Sequence, residues 1–154
     1  MPRLRQAPLI ALSCRGRQSE IRPALAALRT AVTPHLADWG ADMIDSVEIA
    51  LAEVLNNIVE HAGASDRPGA IRIIAGCAIG ELAVTVMDDG APMPAHLPAS
   101  AAFPHLHAED PPEGGFGWGL IHALARRLCY RRRCGRNELA LWFRLPVLHV
   151  GDDV

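Results

Sequence analysis

Three separated segments of this chain carry polar residues or glycines that packing alone does not require. In the first, Glu53, Asn57 and His61 recur at four-residue spacing. A helix turns 100° per residue, so each step of four advances by about 40° and all three share one edge, with Glu60 beside them. That edge lies beside the apolar stripe of the helix rather than opposite it. A solvated helix face has the same composition. In the second segment, Val86-Met87-Asp88-Asp89-Gly90-Ala91-Pro92, an apolar strand runs into a carboxylate and then a glycine turn. A carboxylate at the end of a buried strand needs donors, and an exocyclic amine such as that of adenine is one. An ordinary Asp-Gly turn is the plainer reading. The third segment, Glu113-Gly114-Gly115-Phe116-Gly117-Trp118-Gly119-Leu120, leads into a helical pattern. Glycines at 115, 117 and 119 leave backbone N–H groups uncovered at a helix start, where an anion is favoured. A flexible linker competes with that reading, although Phe116 and Trp118 interrupt linker composition.

Regular elements must hold these pieces. Residues 8–14 read as a first strand. Ile21, Leu25, Leu28, Val32 and Leu36 have helical spacing over about 19–38, with Ser19 placed to cap the helix and Pro34 to end or kink it. A second helix, about 42–62, carries the stripe Ile44, Val47, Leu51, Val54, Leu55 and Ile58. Strands at 70–77 and 81–87 flank a turn at Gly80. The stretch 89–115 holds six prolines (92, 94, 98, 104, 111 and 112) and reads as a long loop. A third helix fits 117–128, followed by strands near 128–134 and 138–145. The order β-α-α-β-β-loop-α-β-β, with two hairpin-connected strand pairs, describes a layered α/β sandwich and not a doubly wound fold.

Composition narrows the chemistry. The chain has 154 residues, half of them hydrophobic and 21% charged, which suits one packed domain. A net charge of −2 argues against a general nucleic-acid binder. All 15 cations are arginine, so a P-loop lysine, a Schiff base and a lysine general base are excluded. The glycine segment is neither a strand–GxGxxG–helix unit nor a P-loop. No signal peptide or span of about 20 apolar residues is evident, and the expected setting is cytoplasmic, without membrane contact. Cys14, Cys77, Cys129 and Cys134 form no CxxC pair and read as reduced thiols.

Taken in order, E-x-x-x-N-x-x-x-H-A (53–62), D-x-G-x-P (88–92) and G-x-G-x-G-L (115–120) resemble the N, G1 and G2 boxes of the gyrase/histidine-kinase-type (Bergerat-fold) ATP-binding superfamily. The resemblance covers about residues 40–146, including the Gly135-Arg136-Asn137-Glu138-Leu139 hairpin before the last strand. It implies a two-layer α/β sandwich with a mixed, mostly antiparallel sheet and helices on one face, spanning residues 1–154 as one ATP-binding domain. The short β-α start resembles that of the small bacterial anti-sigma-factor serine kinases. There is no room for a phosphoacceptor hairpin, and His35, near the end of the first helix, is poorly placed to act as one.

The resemblance implies ATP and Mg²⁺ as cofactors, with Asn57 as the magnesium ligand. Asp88 would accept from the adenine amine, and Gly90 would let the backbone approach the base. Gly115, Gly117, Gly119 and the Leu120 N–H would wrap the phosphates under a lid at about 93–114. Glu53 would be the general base, and His61 would tie the helix end to the adjacent loop. Relatives often carry a lid cation for the γ-phosphate, yet residues 93–125 contain no Arg or Lys. His96, His105 and His107, or Arg126 or Arg127 reaching back, are the candidates to replace it; the three histidines could alternatively bind zinc. Expected partners are a sigma factor and a STAS-type antagonist protein, with a homodimer left open and no direct nucleic-acid contact. The expected activity is serine/threonine kinase action on the antagonist. The alternatives are a non-catalytic ATP-dependent partner switch and an orphan histidine-kinase ATPase domain. The arginines at 126, 127, 131, 132, 133 and 136 read as a solvated surface or a partner surface.

Overall fold

The computed structural model describes residues 8–36, 40–62, 69–78, 80–93 and 116–144. Strand β1 (Ile10–Arg15) leads into helices α1 (Gln18–Leu36) and α2 (Ala41–Ala62). The hairpin β2 (Ala70–Ala78) and β3 (Glu81–Asp88) follows, then helix α3 (Phe116–Leu124) and the hairpin β4 (Arg127–Arg133) and β5 (Arg136–Arg144). The five strands form one sheet in the order β1-β2-β3-β5-β4. Every pairing in it is antiparallel, more uniform than the mixed sheet expected.

Strand side chains alternate between faces, and here the alternation assigns the core. Ile71, Ile73 and Ala75 of β2, Leu82, Val84 and Val86 of β3, and Leu139, Leu141 and Phe143 of β5 are buried in one cluster with the helices. The α1 positions read from periodicity are all buried, as are Ile44, Val47, Leu51, Val54 and Leu55 of α2, while Ile58 is partly buried. Among the described residues no helix is long and apolar enough to cross a membrane.

Local chemistry moved three boundaries. Helix α1 begins before Ser19, which lies inside its first turn and is exposed. The Glu20 carboxylate instead accepts from the Arg15 N–H at 2.8 Å, closing the turn from outside. Pro34 does not break α1, which runs only two residues beyond it. Helix α3 stops at Leu124 rather than near 128 because the Arg126 N–H donates to the Trp142 carbonyl at 2.8 Å and the chain enters the sheet.

All four cysteines are free thiols. Burial pushes the Cys14 thiol up, and the charge of Glu20 adds to this; burial alone raises Cys77. Cys129 and Cys134 are exposed. The thiolate is the reactive form, so iodoacetamide at about pH 8 should label Cys129 and Cys134 several-fold faster than Cys14 and Cys77. Peptide mass mapping over time checks the order.

Candidate functional site

Helices α2 and α3 bring the first and third segments together. Gly117, in the first turn of α3, lies so close to α2 that a Cβ built on it would sit 2.6 Å from Glu53 Oε2 and 3.8 Å from Asn57 Nδ2. Any side chain here would push the Glu53 carboxylate aside, so glycine lets the helix start and that carboxylate approach closely. The Asn57 Nδ2 is buried and has no hydrogen-bond partner. Since a buried polar group is normally satisfied, an amide left open toward a helix start marks a place for an outside group.

The amides at that helix start can be assigned from its geometry. In an α-helix each N–H donates to the carbonyl four residues back, so the first turn leaves its N–H groups free. With α3 beginning at Phe116, the amides of Gly117 and Trp118 are in the free turn. The Leu120 N–H falls in register with the Phe116 carbonyl and so lies outside that free turn. Gly119 lies in the same helix, while Gly115, the side chain of His61 and the segment 94–115 with His96, His105 and His107 lie outside the described residues.

The second segment lies at the end of β3. Asp88 is only 9% exposed at the end of β3. Its Oδ1 accepts from the Gly90 N–H at 2.8 Å and from Asn137 Nδ2 at 2.9 Å. Both described bonds use the same oxygen. A Cβ on Gly90 would stand 2.9 Å from that Oδ1, so the turn closes on Asp88 only with glycine there. Its neighbour Asp89 does a different job, accepting from the Ala70 N–H at 3.1 Å beside Gly69.

Asn137 did not stand out in the sequence, yet it organises this corner. Antiparallel register sets it opposite Asp88 across β3 and β5. Besides Asp88 its amide donates to the Ala91 carbonyl at 2.8 Å, and its oxygen accepts from Tyr130 Oη at 2.8 Å and from Arg132 at 2.5 Å. Arg132 also donates to the Gly90 carbonyl at 2.9 Å, and Tyr130 Oη accepts from the Met93 N–H at 3.0 Å. Side chains of β4 and β5 therefore fix both Asp88 and residues 90–93, where the proline-rich segment begins. One signal was available: an asparagine opening an otherwise apolar strand beside an expected carboxylate.

Arg126 and Arg127 do not reach the site. Arg126 pairs with Glu81 at 2.7 Å and Arg127 with the same carboxylate at 3.6 Å, at the end of β3 away from Asp88. Arg127 also lies over the Trp142 ring, 4.1 Å from its centroid. Among the described residues, no group of three or more His, Cys, Asp and Glu side chains could hold a metal.

Glu53 and Asn57 thus lie against the glycine-led start of α3, and the Asp88 carboxylate is held at the end of β3. Residues 17–143 match the histidine kinase-like ATPase domain family. The chain belongs to that family. It is 33% identical over 105 residues to the serine/threonine-protein kinase BtrW of Bordetella bronchiseptica, an alignment spanning 67% of this chain and 72% of that one. Among solved structures it resembles SiaB-SiaC of Pseudomonas aeruginosa (TM-score 0.58, 18% identity, 90% of this chain and 91% of that one). It also resembles a Mycobacterium tuberculosis structure of RsbU and RsbW domains (TM-score 0.62, 20% identity), matching over 91% of this chain and 32% of that one. The chain thus spans about a third of that protein. These structural likenesses establish the fold: an antiparallel five-stranded sheet with three helices, of the Bergerat ATPase type.

A single exchange tests the adenine end of the site. Asp88→Asn places an amide where the base amine must donate, and the amide's NH₂ cannot accept. ATP affinity should fall by about tenfold or more while GTP affinity changes little, as lost pairing of one buried polar group predicts. Calorimetric titration with both nucleotides checks this; an equal fall for both removes Asp88 from base recognition.

Proposed function

We propose that this protein is an ATP-dependent anti-sigma factor that phosphorylates a serine or threonine of a STAS-type antagonist. The observation that carries the reading is Glu53 set against Gly117 beside the unpartnered Asn57 amide. Kinship with a relative named a serine/threonine-protein kinase supports it.

In this reading Asp88 and the Gly90 turn hold the adenine, and the glycines at 115, 117 and 119 let backbone amides approach the phosphates. An amide oxygen such as that of Asn57 suits a hard cation that keeps most of its waters. Asn57 would hold Mg²⁺ through its side-chain oxygen, and the bound ion neutralises phosphate charge. Glu53 accepts the proton of the antagonist's hydroxyl as its oxygen bonds to the γ-phosphorus. The bond from that phosphorus to the β,γ-bridging oxygen breaks, and ADP leaves with the electron pair. Positioning and charge neutralisation do most of the work in phosphoryl transfer, so this sparse set is sufficient.

A second reading, a switch that binds ATP and exchanges partners without transfer, is favoured by one observation: Arg126 and Arg127 are engaged by Glu81 and are not available to the γ-phosphate. Incubation with ATP, Mg²⁺ and a candidate antagonist, followed by intact mass, separates the two. Gain of one phosphate on the antagonist supports the kinase, and ATP binding with no gain supports the switch. Loss of the added phosphate in acid would reveal a phosphohistidine, and with it a histidine-kinase-type domain.

A further inference from the structure

The helices pack on one face of the sheet, and the opposite face carries a charge pattern that the nucleotide site does not use. Over β3, β5 and β4 this outer face presents Arg127, Arg131, Arg133, Arg136 and Arg144, with Arg126 at its margin. Only two carboxylates lie among them, Glu81 and Glu138. Both are sunk beneath their partners: Glu81 is 18% exposed against 51% and 58% for Arg126 and Arg127, and Glu138 is 14% against 33% for Arg131. The negative charge is covered and the positive charge faces outward, on a chain whose net charge is −2.

Register shows where that charge is uncompensated. Along β4 the outward residues face Trp142, Glu138 and, at the hairpin end, Arg136. Arg127 stacks on Trp142 and Arg131 pairs with Glu138 at 2.6 Å. Arg133 stands opposite Arg136, both are exposed, and among the described residues neither has an acidic partner. Directly opposed like charges destabilise a strand pair. The two-residue turn holds them there, with Cys134 at φ 49° and Gly135 at φ 76°, as a tight primed turn requires. Farther along the same face, beyond the Arg131–Glu138 pair, Ala83, Ala140 and Trp142 form a small buried cluster separate from the main core.

We infer that the outer face of the β4–β5 hairpin docks an acidic protein segment. Carboxylates from the partner would relieve the Arg133–Arg136 opposition. A second copy of the same face would bring like charges together. Nucleic acid and anionic membranes would meet a chain of net negative charge. The span from Arg127 to Arg133 is about 20 Å, which a helix of about 13 residues covers.

Cys129 lies exposed in the middle of this face and reports its occupancy. The full chain, with and without Mg-ATP, would be titrated with a short amphipathic helical peptide of glutamate, leucine and alanine while Cys129 alkylation is followed by mass spectrometry. The peptide should slow Cys129 labelling several-fold and leave Cys14 unchanged. The double variant Arg133→Ser, Arg136→Ser should bind it about fivefold to tenfold more weakly, the scale that two exposed ion pairs supply. Its melting temperature should hold or rise as the opposed charges disappear, separating lost docking from lost folding. The control Arg17→Ser, Arg22→Ser, at the start of α1, should bind like wild type. The inference fails if Cys129 is not protected, or if the control weakens binding equally. It also fails if oligothymidylate protects Cys129 better than the peptide, or if the free protein protects Cys129 on concentration. Peptide binding requires no nucleotide, so failure here leaves the ATP-site reading standing, and the reverse holds.

Discussion

Glu53→Gln should slow phosphate transfer to the antagonist by about 10²–10⁴, the usual range for removing a general base. Mg-ATP affinity should change by less than about fivefold, or about 1 kcal/mol. The exchange preserves shape and hydrogen bonding and removes only the basic carboxylate. Because Glu53 Oε2 lies against the start of α3, its charge also interacts with the helix dipole there. Removing that charge should leave nucleotide binding level or slightly better, since an anionic phosphate no longer meets a carboxylate. Single-turnover transfer and calorimetry read the two effects separately. A rate loss accompanied by a collapse of ATP binding would make Glu53 part of the binding shell, and an unchanged rate would remove it from proton transfer.

The Asn57→Ala exchange should abolish magnesium-dependent ATP binding, a loss of about 100-fold or more if the amide oxygen is the metal's protein ligand. The fold should not suffer. Asn57 Nδ2 makes no hydrogen bond that would be lost, and removing a buried unsatisfied donor is favourable. Alanine is also the better helix former, by roughly half a kcal/mol. The expected variant melts no lower than wild type and no longer responds to magnesium in nucleotide titrations. Equal Mg-ATP affinity in variant and wild type would exclude Asn57 from the site; a lower melting temperature would assign it a packing role instead.

How much of this was legible follows from how local each feature is. The α2 stripe and the shared edge of Glu53 and Asn57 depend on helical pitch alone, so 22 consecutive residues were enough to place them. The approach of Gly117 was suggested by glycine spacing, but its target was not, because α2·α3 packing joins residues more than sixty positions apart. Asn137 was harder still. Its bond to Asp88 crosses 49 residues and depends on the β3–β5 register, which a one-residue slip would reverse. Arg126 and Arg127 were misplaced as candidates for the γ-phosphate for a related reason. The helical pattern of the sequence runs on through them, and the bond from the Arg126 N–H to Trp142 with the start of β4 at Arg127 shows that the chain has already turned into the sheet.

Gly117 carries a consequence for how such a sequence can evolve. Alanine there would favour α3 by up to about 1 kcal/mol on propensity. Its methyl group would meet the Glu53 carboxylate, the movable end of a flexible side chain, so the fold would adapt by turning that carboxylate aside. Selection for stability and selection for chemistry therefore pull this codon in opposite directions. If the proposed transfer holds, a lineage released from it should drift to alanine at this position while keeping its fold.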